Sequence, residues 1–327
     1  MNAKALKLAV GLIILGLLFW KFDTAKIFDA LRHCDPLYLL IALLITPVTM
    51  DLRAMRLRKL LAMHTKATPP LYILNELGYI GFLFGLVTPS RAGEFFRAYY
   101  LSRDYKISYA HSVASVFIDR MLDVAMLFIL VDIAVLYFPY MLGREVLGDY
   151  TWVLAVSTAL FVLLAYLLTR PRFLKKAIDY TEKAFRRMIK KDPHESKKAE
   201  LSKDFHETLM NLKENKKAFI PLWANNMVLW FFVLLQAYVI LLALGERVDI
   251  IFVFLAVPFA IMASLLPITV SGLGTRDLAM VALFSFAGVS ASKAISLSLL
   301  YLFLGQVVPA AVGEYFYIKR GYASKSK

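Results

Sequence analysis

Apolar runs occupy residues 6 to 22, 36 to 50, 71 to 87, 112 to 138, 150 to 169, 218 to 244, 250 to 266, 278 to 288 and 294 to 317 of the 327-residue chain. The continuous apolar character of these runs, with no period-2 alternation, predicts helices buried in lipid or in one another. A crossing takes about 20 residues. Several runs fall short of that, so length alone does not say which of them cross.

Basic residues decide which runs cross. Arg53, Arg56, Arg58, Lys59 and Lys66 follow the second run; Arg91, Arg97, Arg103 and Lys106 follow the third; and Lys/Arg outnumber Asp/Glu through 170 to 217. The positive-inside rule puts all three segments in the cytoplasm. The run 71 to 87 then begins and ends on the same side: Leu71 to Val87 enters the bilayer, Thr88 to Gly93 breaks, and Glu94 to Leu101 returns. Lys319, Arg320, Lys325 and Lys327 put the C-terminus inside, so 294 to 317 starts outside, and 250 to 288 is expected to be a second re-entrant hairpin entering from the outer face. The expectation is an all-α polytopic membrane protein with six crossings, two oppositely oriented hairpins and both termini cytoplasmic. It forms one membrane domain, 1 to 327, in which span, hairpin and span (36 to 138) recur inverted (218 to 317). The segment 170 to 217 is expected to be a basic, amphipathic helical loop. The alternative, with 71 to 88 as a plain span and 278 to 288 as packing, violates the charge rule in at least one loop.

Composition supports this class. The chain is 60% hydrophobic with 19% charged residues, and its mean hydropathy is +0.63, outside the range of soluble domains. The net charge of +14 sits mainly in loops, so it reads as topology and not as nucleic-acid binding. Cys34 is the lone cysteine, which excludes an internal disulfide and a multi-cysteine metal site. The five histidines make no zinc spacing, and no nucleotide loop, dinucleotide fingerprint or nucleophile elbow appears. No metal, cofactor or catalytic residue is expected, and the protein is not read as an enzyme.

The two breaks carry the chemistry. In the first, Pro89 and Gly93 interrupt the helix near Arg91, Glu94 and Arg97; in the second, Pro267, Gly272 and Gly274 interrupt it before Arg276 and Asp277. Unwound backbone at membrane depth must face protein or a watery cavity, and ionisable residues there are functional candidates. Each returning half-helix would aim free N–H groups and a positive dipole end at the membrane centre, with Thr88 before Pro89, and Thr275, as plausible N-caps. Arg91, Arg97 and Arg276 add full charges, and the sum is an anion site suited to phosphate or carboxylate. Glu94 and Asp277 either balance these arginines as structural pairs or contact substrate. Asp119, Arg120 and Asp123 open the 112 to 138 span on one helix face, with Arg120 able to pair with Asp123. They would partner Arg91 or Arg276, relay protons, or form a purely structural network.

Pro89-Ser-Arg-Ala-Gly-Glu-Phe-Phe-Arg97 and the stretch from Pro267 to Asp277 resemble the paired motifs of the lysylphosphatidylglycerol synthase transmembrane-region family, and Asp119-Arg120 resembles the acid-arginine pair of its following span. Ser271 stands where a first glycine is usual and Asp277 where glutamate is common. The likeness covers nearly the whole sequence up to about Tyr317. It implies lipid handling: a flippase-like transporter moving a phospholipid or lipid-linked glycan headgroup across the cell (inner or plasma) membrane. It equally leaves room for a lipid-holding subunit serving a separate soluble aminoacyl- or glycosyltransferase, since only the membrane part of the two-domain members is matched. A small-anion channel is the third reading.

Overall fold

The computed structural model describes residues 29–63, 65, 68–86, 88, 93–142, 158–159, 166, 216–265 and 274–321. Among them every regular element is helical: α1 (Pro36–Leu61), α2 (Leu71–Leu86), α3 (Phe96–Tyr105), α4 (Tyr109–Leu142), α5 (Lys216–Ala243), α6 (Ile250–Leu265), α7 (Thr275–Phe286), α8 (Ala291–Leu302) and α9 (Val308–Lys319). A π-helical segment, Phe303–Val307, joins α8 to α9 without a break. Four helices are long and apolar enough to cross a membrane: Pro36–Leu61, His111–Pro139, Ile220–Ala243 and Ala291–Lys319. They correspond to four of the six runs expected to cross; the runs at 6 to 22 and 150 to 169, and the basic loop after them, lie outside the described residues apart from Thr158, Ala159 and Tyr166. Leu37, Leu44, Leu136, Ile220 and Phe231 are exposed on these long helices. Such apolar surface is what lipid tails cover.

The first long helix differs from the expectation. The apolar run 36 to 50 does not end at the charged residues; α1 continues unbroken through Arg53, Arg56 and Arg58. Arg56 is fully buried, not a solvated loop charge. The reason is tertiary: the carboxylates of α4 lie opposite it, as described below.

Hydrogen bonds fix how the helices run. The Asp35 N–H donates to Ala243 O at 2.9 Å, and Lys59 Nζ donates to Pro221 O at 3.3 Å. The start of α1 therefore lies beside the end of α5 and its end beside the start of α5, so the two are antiparallel. Helices α2 and α9 are antiparallel as well. Gly313 packs so closely on α2 that an added Cβ would sit 2.1 Å from Tyr79 O, while Arg320, about two turns beyond, pairs with Glu76. Close backbone approach of this kind is how membrane helices gain packing contacts that a hydrophobic force between them cannot supply.

The four short helices form two pairs with matching geometry. Helices α2 and α6 are both 16 residues long, and their starts (71 and 250) are separated by the same number of residues as the starts of α3 and α7 (96 and 275). In the second pair, Phe252 near the start of α6 meets Phe284 near the end of α7 edge-on, with centroids 5.8 Å apart. In the first, Arg320 reaches both Glu76 near the start of α2 and the Tyr105 hydroxyl at the end of α3. In each pair the second helix ends at the level where the first began.

Candidate functional site

The turn after α2 is built around one glycine and one threonine. A Cβ on Gly93 would lie 2.2 Å from Phe84 O, so only glycine permits the chain to fold back over the helix end. The Thr88 hydroxyl donates to Phe84 O at 2.9 Å and accepts from the Gly93 N–H at 2.7 Å. Thr88 thus staples the two sides of the break. Helix α3 begins at Phe96, after a short 3-10 turn over 93–95. Pro89 and Arg91 lie outside the described residues.

Beyond this turn Glu94 and Arg97 are both buried. Arg97 runs along Gly81 of α2, where an added Cβ would come within 3.0 Å of its stem. Its guanidinium meets Asp119 of α4 at 3.2 Å and Glu94 at 3.6 Å. Asp119 is fully buried and shared with Arg56 of α1, whose Nε donates to it at 2.6 Å. Arg56 also reaches Asp123 at 2.8 Å and the side-chain oxygen of Asn226 on α5, while the Asn226 amide donates to Leu122 O at 2.9 Å. Arg53, one turn before Arg56, pairs with Asp123 at 2.8 Å and lies over the Phe82 ring. Arg120 closes the circuit through Glu94 at 2.7 Å, with Asp119 and Asp123 at 3.5 and 3.6 Å.

Of the residues expected to form a site, Glu94, Arg97, Asp119, Arg120 and Asp123 are therefore gathered into one network spanning α1, α3, α4 and α5. Arg53 and Arg56 belong to it too. Sequence pattern assigned them to a loop, since charges next to an apolar run look alike whether they leave the bilayer or turn inward. The available signal was spacing: Arg53 and Arg56 lie three apart on α1, as Asp119 and Asp123 lie four apart on α4, so each pair occupies one face.

Arg276 and Asp277 form a separate cluster. Gly274, at φ +85°, ends the second break in backbone that a side chain would strain. Asp277 accepts the Gly274 N–H at 2.8 Å. That carboxylate is the cap of α7; Thr275, expected in that role, is instead the first residue of the helix. Arg276 is buried, donates to the Ser298 hydroxyl at 2.8 Å and to Ser298 O at 3.1 Å, and pairs with Asp277 at 3.0 Å. The Ser298 hydroxyl in turn donates to Asp277. Among the described residues no ion pair joins this cluster to the first, so Asp119 faces Arg56, Arg97 and Arg120 and not Arg276. Pro267 and Gly272 lie outside the described residues.

The two clusters are nonetheless built alike. Arg97 is the second residue of α3 and bonds Asp119, 22 positions on; Arg276 is the second residue of α7 and bonds Ser298, also 22 positions on. Each short helix is pinned by a buried arginine in its first turn to the long helix that follows.

A scan against protein-family models matches residues 4–313 to the lysylphosphatidylglycerol synthase transmembrane region. The chain belongs to that family. A UPF0104 membrane protein of Pyrococcus horikoshii is 22% identical over 97% of both chains, and one of Methanocaldococcus jannaschii is 26% identical over 74% of this chain and 76% of its own. Glycosyltransferase AglD of Haloferax volcanii is 27% identical over 90% of this chain, a match that spans 50% of that protein. Family and apolar helices together make this an integral membrane protein, and the buried arginines and carboxylates lie in the segments that carry the family likeness.

Proposed function

We propose that the protein is a lipid transporter of the flippase type, which carries the headgroup of an anionic or zwitterionic phospholipid or lipid-linked glycan across the cell membrane while the tails stay in the bilayer. The observation that carries this reading is the pair of half-length helices, α3 and α7, each holding a buried arginine in its first turn at the same 22-residue spacing from its anchor. Helices that stop inside a membrane bundle and aim their N-termini and cationic side chains inward are the usual seat of an anionic substrate. In this reading α2 with α3, and α6 with α7, are re-entrant hairpins of opposite orientation within an inverted repeat of one membrane domain, and both termini are cytoplasmic. The equal spacing of the two pairs and the Phe252–Phe284 and Arg320 contacts support it. The candidate substrate-facing groups are Arg91, Arg97, Arg120 and Arg276, with Glu94, Asp119, Asp123 and Asp277 holding them. No catalytic role is assigned.

The test is headgroup translocation of a fluorescent phosphatidylglycerol in proteoliposomes, read by quenching from outside. Arg276→Ala is expected to reduce the rate at least tenfold while the protein elutes as the native species. Unchanged transport in both Arg276→Ala and Arg91→Ala overturns the reading.

A second reading is favoured by the match to a glycosyltransferase over half of that protein's length: a membrane subunit that holds a lipid-linked substrate for a separate glycosyltransferase. Its mark is a stoichiometric enzyme partner on purification and no translocation by the purified chain.

A further inference from the structure

We propose that the network of α1, α3, α4 and α5 is itself a seat for one monoanionic phosphate group, with Arg53, Arg56 and Arg120 as the groups that receive it. This extends the transport reading by naming the charge of the ligand and the residues that bind it.

Charge balance is the first argument. Among the described residues the network holds four guanidinium groups, Arg53, Arg56, Arg97 and Arg120, against three carboxylates, Glu94, Asp119 and Asp123. One positive charge is left over. An uncompensated charge among apolar helices is unfavourable, and a single negative charge would balance the described groups.

Unused hydrogen-bond donors are the second. Arg56 has no exposed surface, yet its Nη2 meets no acceptor, and neither does the buried Nε of Arg120. Each of the other polar atoms of Arg56 is taken: Nε by Asp119, Nη1 by Asp123 and Asn226. Buried donors left over beside surplus positive charge point to an acceptor with several oxygens, which is what a phosphate or phosphodiester presents.

Access is the third. Arg53, Arg120 and Asp123 keep 13 to 17% of their side chains exposed, whereas Arg56, Arg97, Glu94 and Asp119 keep 3% or less. The surplus charge therefore opens outward along one edge, at Arg53 and Arg120. The equivalent place in the second half differs. Ser298 stands where Asp119 stands in the first, and Arg276 is balanced one to one by Asp277. Arg276 Nη1 is likewise buried without an acceptor, but that cluster carries no surplus charge, so the monoanion seat is assigned to the first.

The rim residues allow a test in which two substitutions move affinity in opposite directions. Arg53→Gln brings the network to three charges of each sign; Asp123→Asn leaves four positive against two negative. The full chain in a nonionic maltoside detergent is titrated with inorganic phosphate, with dihexanoylphosphatidylglycerol and with sodium chloride at matched ionic strength, and the unfolding temperature is followed. The expected result is saturable stabilisation of the wild-type chain by a phosphate-bearing ligand and not by chloride. Arg53→Gln weakens apparent affinity at least tenfold, and Asp123→Asn binds at least as tightly as wild type. Response to dihexanoylphosphatidylglycerol alone names a lipid headgroup as the source, and response to inorganic phosphate names the free ion. The proposal is overturned if neither ligand stabilises the protein, if chloride does so equally, or if the two variants keep the same affinity. Binding that follows this charge rule without translocation in proteoliposomes leaves the seat in place and removes the transport reading; translocation by a chain that neither phosphate-bearing ligand stabilises does the reverse.

Discussion

Asp119 is the residue on which most of the first cluster turns. Its two oxygens are shared by Arg56 at 2.6 Å and Arg97 at 3.2 Å, and it has no exposure of its own. Replacing it with asparagine leaves two buried guanidinium groups facing a neutral amide. Breaking a buried pair from one side typically costs about 3–5 kcal/mol. Asp119→Asn is therefore expected to lower the unfolding temperature sharply in detergent, or to abolish the folded species. Arg53→Gln, at the 14% exposed rim, is expected to cost much less, in line with the small worth of partly solvated pairs. Equal losses from both would mean that the interior of the network is as solvated as its edge.

At the scale of elements, what matters is how the short helices are held. Gln236 of α5 donates to Ala42 O and to the Thr46 hydroxyl of α1, both at 2.9 Å, and Thr46 donates to Leu304 O at 3.1 Å in the π-helical segment. These bonds lock α1, α5 and the π-helical segment together. The other end of the molecule has a single counterpart, Arg320, which ties the end of α9 to Glu76 and Tyr105. Arg320→Ala removes a side chain that reaches both α2 and α3. Hydrogen exchange is expected to quicken in peptides covering Tyr99–Tyr105 and the first turns of α2, with α5 and α6 unchanged. A uniform change across the bundle would show that Arg320 stabilises the whole fold and not this pair.

The whole molecule has two ends that can be told apart. Asp35, Ala243 and the Glu246–Lys293 ion pair at 2.7 Å mark one; Lys59, Pro221, Tyr105 and Arg320 mark the other. The topology proposed above puts the first outside and the second in the cytoplasm. In a Cys34→Ser background, Glu246→Cys is expected to react with an impermeant maleimide on intact cells, and Asp104→Cys only after permeabilisation. Labelling of both from the same side would refute the opposed hairpins, although the family membership, resting on residues 4–313, would stand.

How far the sequence alone carries can be followed residue by residue. Apolar runs located the long helices and the shorter apolar helices α2 and α6, because helix length is a local quantity. The proline and glycine clusters located the two breaks, since φ +85° at Gly274 and the contact of Gly93 with Phe84 are demands that few residues can meet. Candidate chemistry was legible at Glu94, Arg97, Asp119, Arg120, Asp123, Arg276 and Asp277 because charge inside an apolar run is costly wherever it occurs. What the sequence could not disclose was the choice of partner. Arg56 looks like any loop arginine until α1 is laid against α4, and Thr88 and Thr275 look like helix caps until the backbone shows that Thr88 spans its break and Asp277 does the capping. Pairing depends on which helix faces end up in contact across tens or hundreds of positions, and that is decided by packing of the whole bundle, not by any segment within it.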